Sequence, residues 1–277
     1  MLLGPAVAEG CQCEHAMGPV IPLVAATIAG PTMLLGWSLI YPLGCWSALL
    51  PAIVAAVLTL ARRDRLAWRR RCLADCLFTS GSPLHRLLRS RALITLGAAA
   101  VALLLTGVLV VSIPRWDFTI LAVVALDGLL ITALFAWLYH VSGGWLGVNP
   151  THRTLFARVW TVRVNVLAML PLLMLVQLQQ PAPDYLDRDG QLRATLQAAS
   201  ASVTSECVAV DTLVRLGREG EAFAWWAILK ATQAIEQRLL RWIAWLVFLL
   251  SGSLSLWAYG SFCVQLVHYA HPHREAA

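Results

Sequence analysis

Six apolar stretches constrain this chain more than any other feature. They run over approximately residues 19–40, 43–61, 92–113, 118–140, 159–178 and 241–267. Each is as long, or nearly so, as the roughly 20 residues an α-helix needs to cross the hydrocarbon of a bilayer. Lipid offers the backbone no water to bond with, so such stretches close their hydrogen bonds internally, as helices. Composition agrees, because 59% hydrophobic and 13% charged residues, with a mean hydropathy of +0.70, give more apolar surface than a soluble 277-residue core can hide. The expected fold class is therefore all-α, a polytopic membrane helical bundle of about six transmembrane helices with a small extracytoplasmic helical hairpin. Pro22, Pro31 and Pro51 interrupt the first two stretches and Arg158 and Arg163 open the fifth, so four or five spans is the alternative.

Charge sets the expected orientation. The chain carries a net +6, and residues 62–91 alone hold nine arginines against Asp64 and Asp75. Short loops rich in Lys and Arg stay on the cytoplasmic side. That rule makes 1–18 a cytoplasmic tail, 19–61 a first transmembrane hairpin, 62–91 a basic cytoplasmic amphipathic loop and 92–140 a second hairpin. It makes 141–158 a cytoplasmic loop, 159–178 a fifth span, 179–240 extracytoplasmic, 241–267 a sixth span and 268–277 a cytoplasmic tail. Six Lys and Arg face eight Asp and Glu in 179–240, the opposite bias to 62–91. The turns at Tyr41 and Pro42 and at 114–117 are so short that each pair of spans is expected as a tight antiparallel hairpin. The first residues lack a basic start, so no cleaved signal peptide is expected. These features place the chain in a plasma membrane, a bacterial inner membrane, with both termini cytoplasmic.

In the basic loop, Leu66, Leu73 and Leu77 recur at helical spacing beside Trp68, while arginines cover the remaining surface. This reads as an interfacial helix, an orientation signal that touches headgroups without selectivity, with recognition of anionic lipids as the alternative. The cluster lies between apolar runs rather than in a soluble base-reading module, which argues against nucleic acid as a partner. In 179–240, Leu192, Leu196, Ala199 and Val203 mark one helix, and Val210, Leu213 and Val214 a second that Gly217 is expected to end. A restart near Glu219 would carry Phe223, Trp226 and Lys230 into the membrane as one long helix.

Several residues are candidates for function. Asp127 lies nine residues into the fourth span, roughly 14 Å deep at 1.5 Å per residue. An acid at that depth faces the bundle or a wet cavity and marks a functional site by default. Thr106 and Ser251 reach a similar level, and either hydrogen-bonds the carboxyl in a purely structural reading. Arg163 and Asn165 fall near the cytoplasmic end of the fifth span, where Arg163 snorkels to headgroups. Phe223, Trp225 and Trp226 are the candidate partner contact, since aromatics dominate interface energetics; an interfacial aromatic belt is the ordinary alternative. Cys45 and Cys207 are the two thiols expected outside, so a disulfide, free thiols or a bond to a partner are all open. Cys11, Cys13 and His15, with His268, His271 and His273, read as polar tails rather than a metal centre, because the Cys-x-Cys-x-His spacing is tighter than structural zinc pairs.

No phosphate loop, nucleophile elbow, HExxH or CxxC occurs. The expected function is therefore non-catalytic, with no cofactor. It is that of an integral-membrane subunit or assembly factor presenting the extracytoplasmic hairpin to membrane or envelope proteins. The rival is a small proton- or ion-linked transporter or channel using Asp127.

Overall fold

The computed structural model describes residues 20–77, 82, 87–88, 90–115, 118–145, 150–179, 183, 186, 191–201, 203–234 and 237–270. Their regular structure is helical, without strands. The helices are α1 (Val20–Ile40), α2 (Leu49–Leu77), α3 (Arg91–Ser112), α4 (Phe118–Trp145), α5 (Pro150–Gln179), α6 (Leu192–Ala201), α7 (Val208–Ala234), α8 (Arg238–Ser251) and α9 (Ser253–Ala270). Five of them, α1 to α5, are long and apolar enough to cross a membrane. Their outward faces carry large apolar side chains such as Leu96, Leu103, Leu104, Leu126, Leu129 and Leu167, all exposed. A surface of that kind is solvated by lipid or by other helices, not by water.

Four features differ from expectation. α2 runs unbroken to Leu77, so the basic segment begins as an extension of a membrane-length helix rather than as a separate interfacial one. Neither Gly nor Pro occurs from Ala52 to Ser80, and Leu, Ala and Arg are strong helix formers. Second, α4 reaches Trp145 and α5 begins at Pro150, extending into the stretch expected as a loop. Proline suits a first helical position because the N–H it lacks has no intrahelical partner there.

Third, α7 passes through Gly217 without stopping. A Cβ at that position would overlap the Val111 side chain of α3, so the glycine serves close helix approach rather than termination. Fourth, the expected last span is two helices, α8 and α9, parted at Gly252, and α7 ends at Ala234 rather than continuing into it. Neither α8 nor α9 is among the five membrane-length helices.

α9 is the axis of the bundle. It packs against α1, α2, α3, α4 and α5, which form a ring around it: α1 on α4, α4 on α5, and α2 on α3. The gap between α5 and α2 is closed by arginine hydrogen bonds described below. Every residue from Ala258 to Gln265 is buried. Over that stretch α9 faces protein, so it needs close fit and hydrogen-bond partners rather than an apolar surface, which explains how it carries Tyr259, Ser261 and Gln265. Small residues admit it. A Cβ on Gly30 of α1 would stand 2.6 Å from Cys263 Sγ, and one on Gly128 of α4 would stand 3.3 Å from Tyr259 Oη. The pairs expected as tight hairpins, α1 with α2 and α3 with α4, thus take their main partners elsewhere: α1 packs on α4 and α9, α2 on α3, and α4 on the next helix, α5.

Candidate functional site

Midway along the bundle, α4 and α5 bring Asp127 and Asn165 together. Asn165 Nδ2–H donates to Asp127 Oδ2 at 3.2 Å. Both residues are buried, at 1% and 0% exposure. Neither Asp127 Oδ1 nor Asn165 Oδ1 has a hydrogen-bond partner among the described residues. The pair lies beside α9: a Cβ on Gly260 would come 3.8 Å from Asn165 Nδ2. One turn away, Tyr259 Oη donates to Val124 O at 2.7 Å, and the Thr27 and Thr132 hydroxyls share a 2.7 Å hydrogen bond between α1 and α4.

Polar side chains continue from this point along the contact of α5 with α9. On α5, Arg158, Thr161 and Asn165 recur at intervals of three and four and so share a face. Ser261 and Gln265 do the same on α9, and all five are buried. Arg158 Nη2 donates to Gln265 Oε1 at 2.5 Å and to Ala61 O of α2 at 3.3 Å. Thr161 Oγ1, Ser261 Oγ and Gln265 Nε2 lack partners among the described residues. Buried polar atoms are nearly always hydrogen-bonded in folded proteins, to protein or to ordered water. A seam with several open valences is therefore a place where water or a hydrophilic solute is favoured.

Of the two residues expected near Asp127, Thr106 is buried on α3, and α3 has no extensive packing against α4, so the structure does not bring them together. Ser251 ends α8, and its side chain is outside what is described. The partner that sequence reasoning missed is Asn165. Starting the fifth span at residue 159 put Asn165 near one membrane face; the start at Pro150 moves it inward by nine residues, roughly 14 Å at 1.5 Å per residue.

At one end of the bundle, Cys45 and Cys207 are joined in a disulfide with their Cα atoms 4.7 Å apart. The approach is built locally. Gly44, at φ 132° and ψ −176°, occupies a region open only to glycine and turns the chain between the 3-10 turns Tyr41–Leu43 and Cys45–Ala48. Across from it, Ser205 Oγ donates to Tyr41 O at 2.9 Å and the Glu206 N–H to Pro42 O at 3.4 Å. Trp37 Nε1 donates to Ser47 O at 3.1 Å, tying the turn back to α1. On α7, Asp211 sits in the first turn, where a negative charge suits the helix dipole, and meets Arg215 at 2.7 Å. Arg215 Nη2 in turn donates to Val203 O. The α6–α7 pair is thereby fixed to the bundle through the bond, the main chain and the contact of Gly217 with Val111.

Along α7, Leu213, Leu216 and Phe223 are exposed on one face. Of the three expected contact residues, Phe223 is half exposed and stacks on Trp226 at 6.4 Å. Trp225 instead meets Trp245 of α8 edge-on at 6.2 Å, which makes it a fold contact. Cys11, Cys13, His15, His271 and His273 lie outside the described residues, as do the side chains of Cys72 and Cys76.

Comparison with known proteins finds no matching family model, no matching curated protein and no matching solved structure.

Proposed function

We propose that this protein is a non-catalytic subunit or assembly factor of a bacterial inner membrane, presenting the α6–α7 pair to a membrane or envelope protein on the extracytoplasmic side. The observation that carries the reading is that the start of α7 is held to the bundle by a disulfide and by the Ser205 and Glu206 hydrogen bonds while Leu213, Leu216 and Phe223 stay exposed. Fixing an apolar ridge in advance lowers the entropy lost when a partner binds. The orientation follows from the arginine excess of 62–91. It leaves both termini cytoplasmic and makes α9 a sixth crossing of about 27 Å, sheltered by the ring. A photo-crosslinking residue placed at Leu216 or Phe223 tests this in cells. Adducts with one membrane or envelope protein are expected from both positions, and none from Leu104 on the lipid-facing side of α3. Adducts with lipid alone at all three positions would refute it.

A second reading has its own observation. The Asp127–Asn165 pair, with the open polar atoms running toward Arg158, supports a proton- or ion-linked pathway along α9. Its test is flux in proteoliposomes. A proton or cation current abolished by Asp127→Asn, with the amount of folded protein unchanged, would support transport; no flux under any ion gradient would remove it.

A further inference from the structure

The end of the bundle opposite the disulfide holds an unusual set of charges. Arg62 and Arg65 stand three residues apart on α2 and share a face, and Arg158 of α5 reaches across to the same helix. Arg158 is only 5% exposed. Its Nη2 has the Gln265 and Ala61 oxygens, while Arg65 Nη2 makes one long bond, 3.5 Å, to the Arg158 carbonyl. The Nε atoms of all three arginines are buried without a hydrogen-bond partner among the described residues. The nearby carboxylate, Asp64, forms its ion pair with exposed Arg63. Arg65 and Arg158 thus bond across α2 and α5 with Arg62 one turn from Arg65, and among the described residues no carboxylate is bonded to any of the three.

Like charges gathered out of water call for a counter-charge, and a guanidinium fork matches a phosphate oxyanion in both geometry and sign. Depth points the same way. From Cys45 to Arg65 is 20 positions, about 30 Å of helix, so Arg65 reaches the level of the opposite headgroups when Cys45 lies at the first interface. Basic pockets between transmembrane helices at that level bind lipid phosphates.

We propose that Arg62, Arg65 and Arg158 form a binding site for a phosphate oxyanion between α2 and α5, backed by Gln265 of α9. The anion is supplied by an anionic lipid headgroup or by free phosphate. This goes beyond attraction of the basic segment to a charged membrane surface, because it assigns binding to three residues among many arginines. It does not depend on the partner-presenting reading.

The test uses full-length protein, delipidated in a neutral detergent, with binding of phosphatidylglycerol, phosphatidylcholine and inorganic phosphate measured separately. The expected result is phosphatidylglycerol bound about tenfold or more tighter than phosphatidylcholine, with a further loss of about tenfold in Arg62→Gln plus Arg65→Gln. Arg69→Gln plus Arg70→Gln, on the same helix beyond the cluster, should change binding by less than about threefold. If inorganic phosphate displaces the lipid at millimolar concentration, the site takes phosphate from either source; if it does not, the lipid is the source. Should the double variant fail to fold, Arg65→Lys keeps the charge and removes the fork, and an affinity loss of a few-fold is expected. Equal binding of the two lipids with no phosphate binding overturns the proposal. So does an equal loss from the two Arg-to-Gln pairs.

Discussion

Asp127 and Asn165 illustrate what one buried hydrogen bond requires of its neighbours. Asp127→Asn keeps an acceptor for the Asn165 amide in nearly the same volume. It should leave the thermal stability of the detergent-solubilised protein within about 1 kcal/mol of wild type. Asp127→Leu removes the acceptor and strands a buried amide, so a loss of about 1–3 kcal/mol is expected, read as a lower midpoint in a melting curve. Gly260, packed beside Asn165, makes a sharper contrast. Gly260→Leu forces a side chain into the central contact and should abolish the monodisperse peak in size-exclusion chromatography. Leu104→Ala, on the exposed face of α3, should leave that peak unchanged. Asp127 was legible in the sequence because an acid inside an apolar run stands out. Asn165 was not, because an amide near an arginine reads as a helix end until the start of α5 is known. Distances between helices have no sequence signal here at all, since hydropathy gives depth but not which helix neighbours which.

The pieces from 179 onward show where pattern and structure part. The apolar runs of α1 to α5 were legible because lipid-facing helices must be apolar along their length. α9 escaped recognition as a separate element because its environment is protein, which tolerates Tyr259, Ser261 and Gln265. Gly217 misled for a related reason: glycine marks helix ends in isolation, yet in a packed helix it marks contact. The disulfide belongs to this scale because it joins two elements 162 residues apart in sequence. Its removal in Cys45→Ser or Cys207→Ser should eliminate the mobility shift between reducing and non-reducing gels. The loop length sets an upper bound of about 4–5 kcal/mol on the stability lost. The hydrogen bonds of Ser205 and Glu206 to Tyr41 and Pro42 remain in either variant, so α7 should loosen rather than detach, seen as faster proteolysis between residues 179 and 208.

For the whole molecule, the proposed orientation makes a direct prediction. Reporter fusions after residues 75 and 150 and at the C-terminal end should behave as cytoplasmic, and one near 200 as extracytoplasmic. A cytoplasmic signal at 200 would invert the arrangement and move the exposed ridge of α7 to the other side. A membrane-impermeant thiol reagent gives an independent reading: after reduction it should label Cys45 and Cys207 in intact cells, and never Cys72 or Cys76. The central position of α9 also bears on how the molecule is made. The ring helices leave the ribosome first, and the helix that fills their centre follows all of them in chain order. From the end of α5 at Gln179 to the end of α9 at Ala270 is a difference of 91 positions, roughly 5 to 20 s of synthesis at about 5 to 20 residues per second. Through that interval Arg158, Thr161 and Asn165 have no α9 to face, and the nascent ring depends on the insertion machinery, or on water, to keep those groups from lipid until the axis arrives.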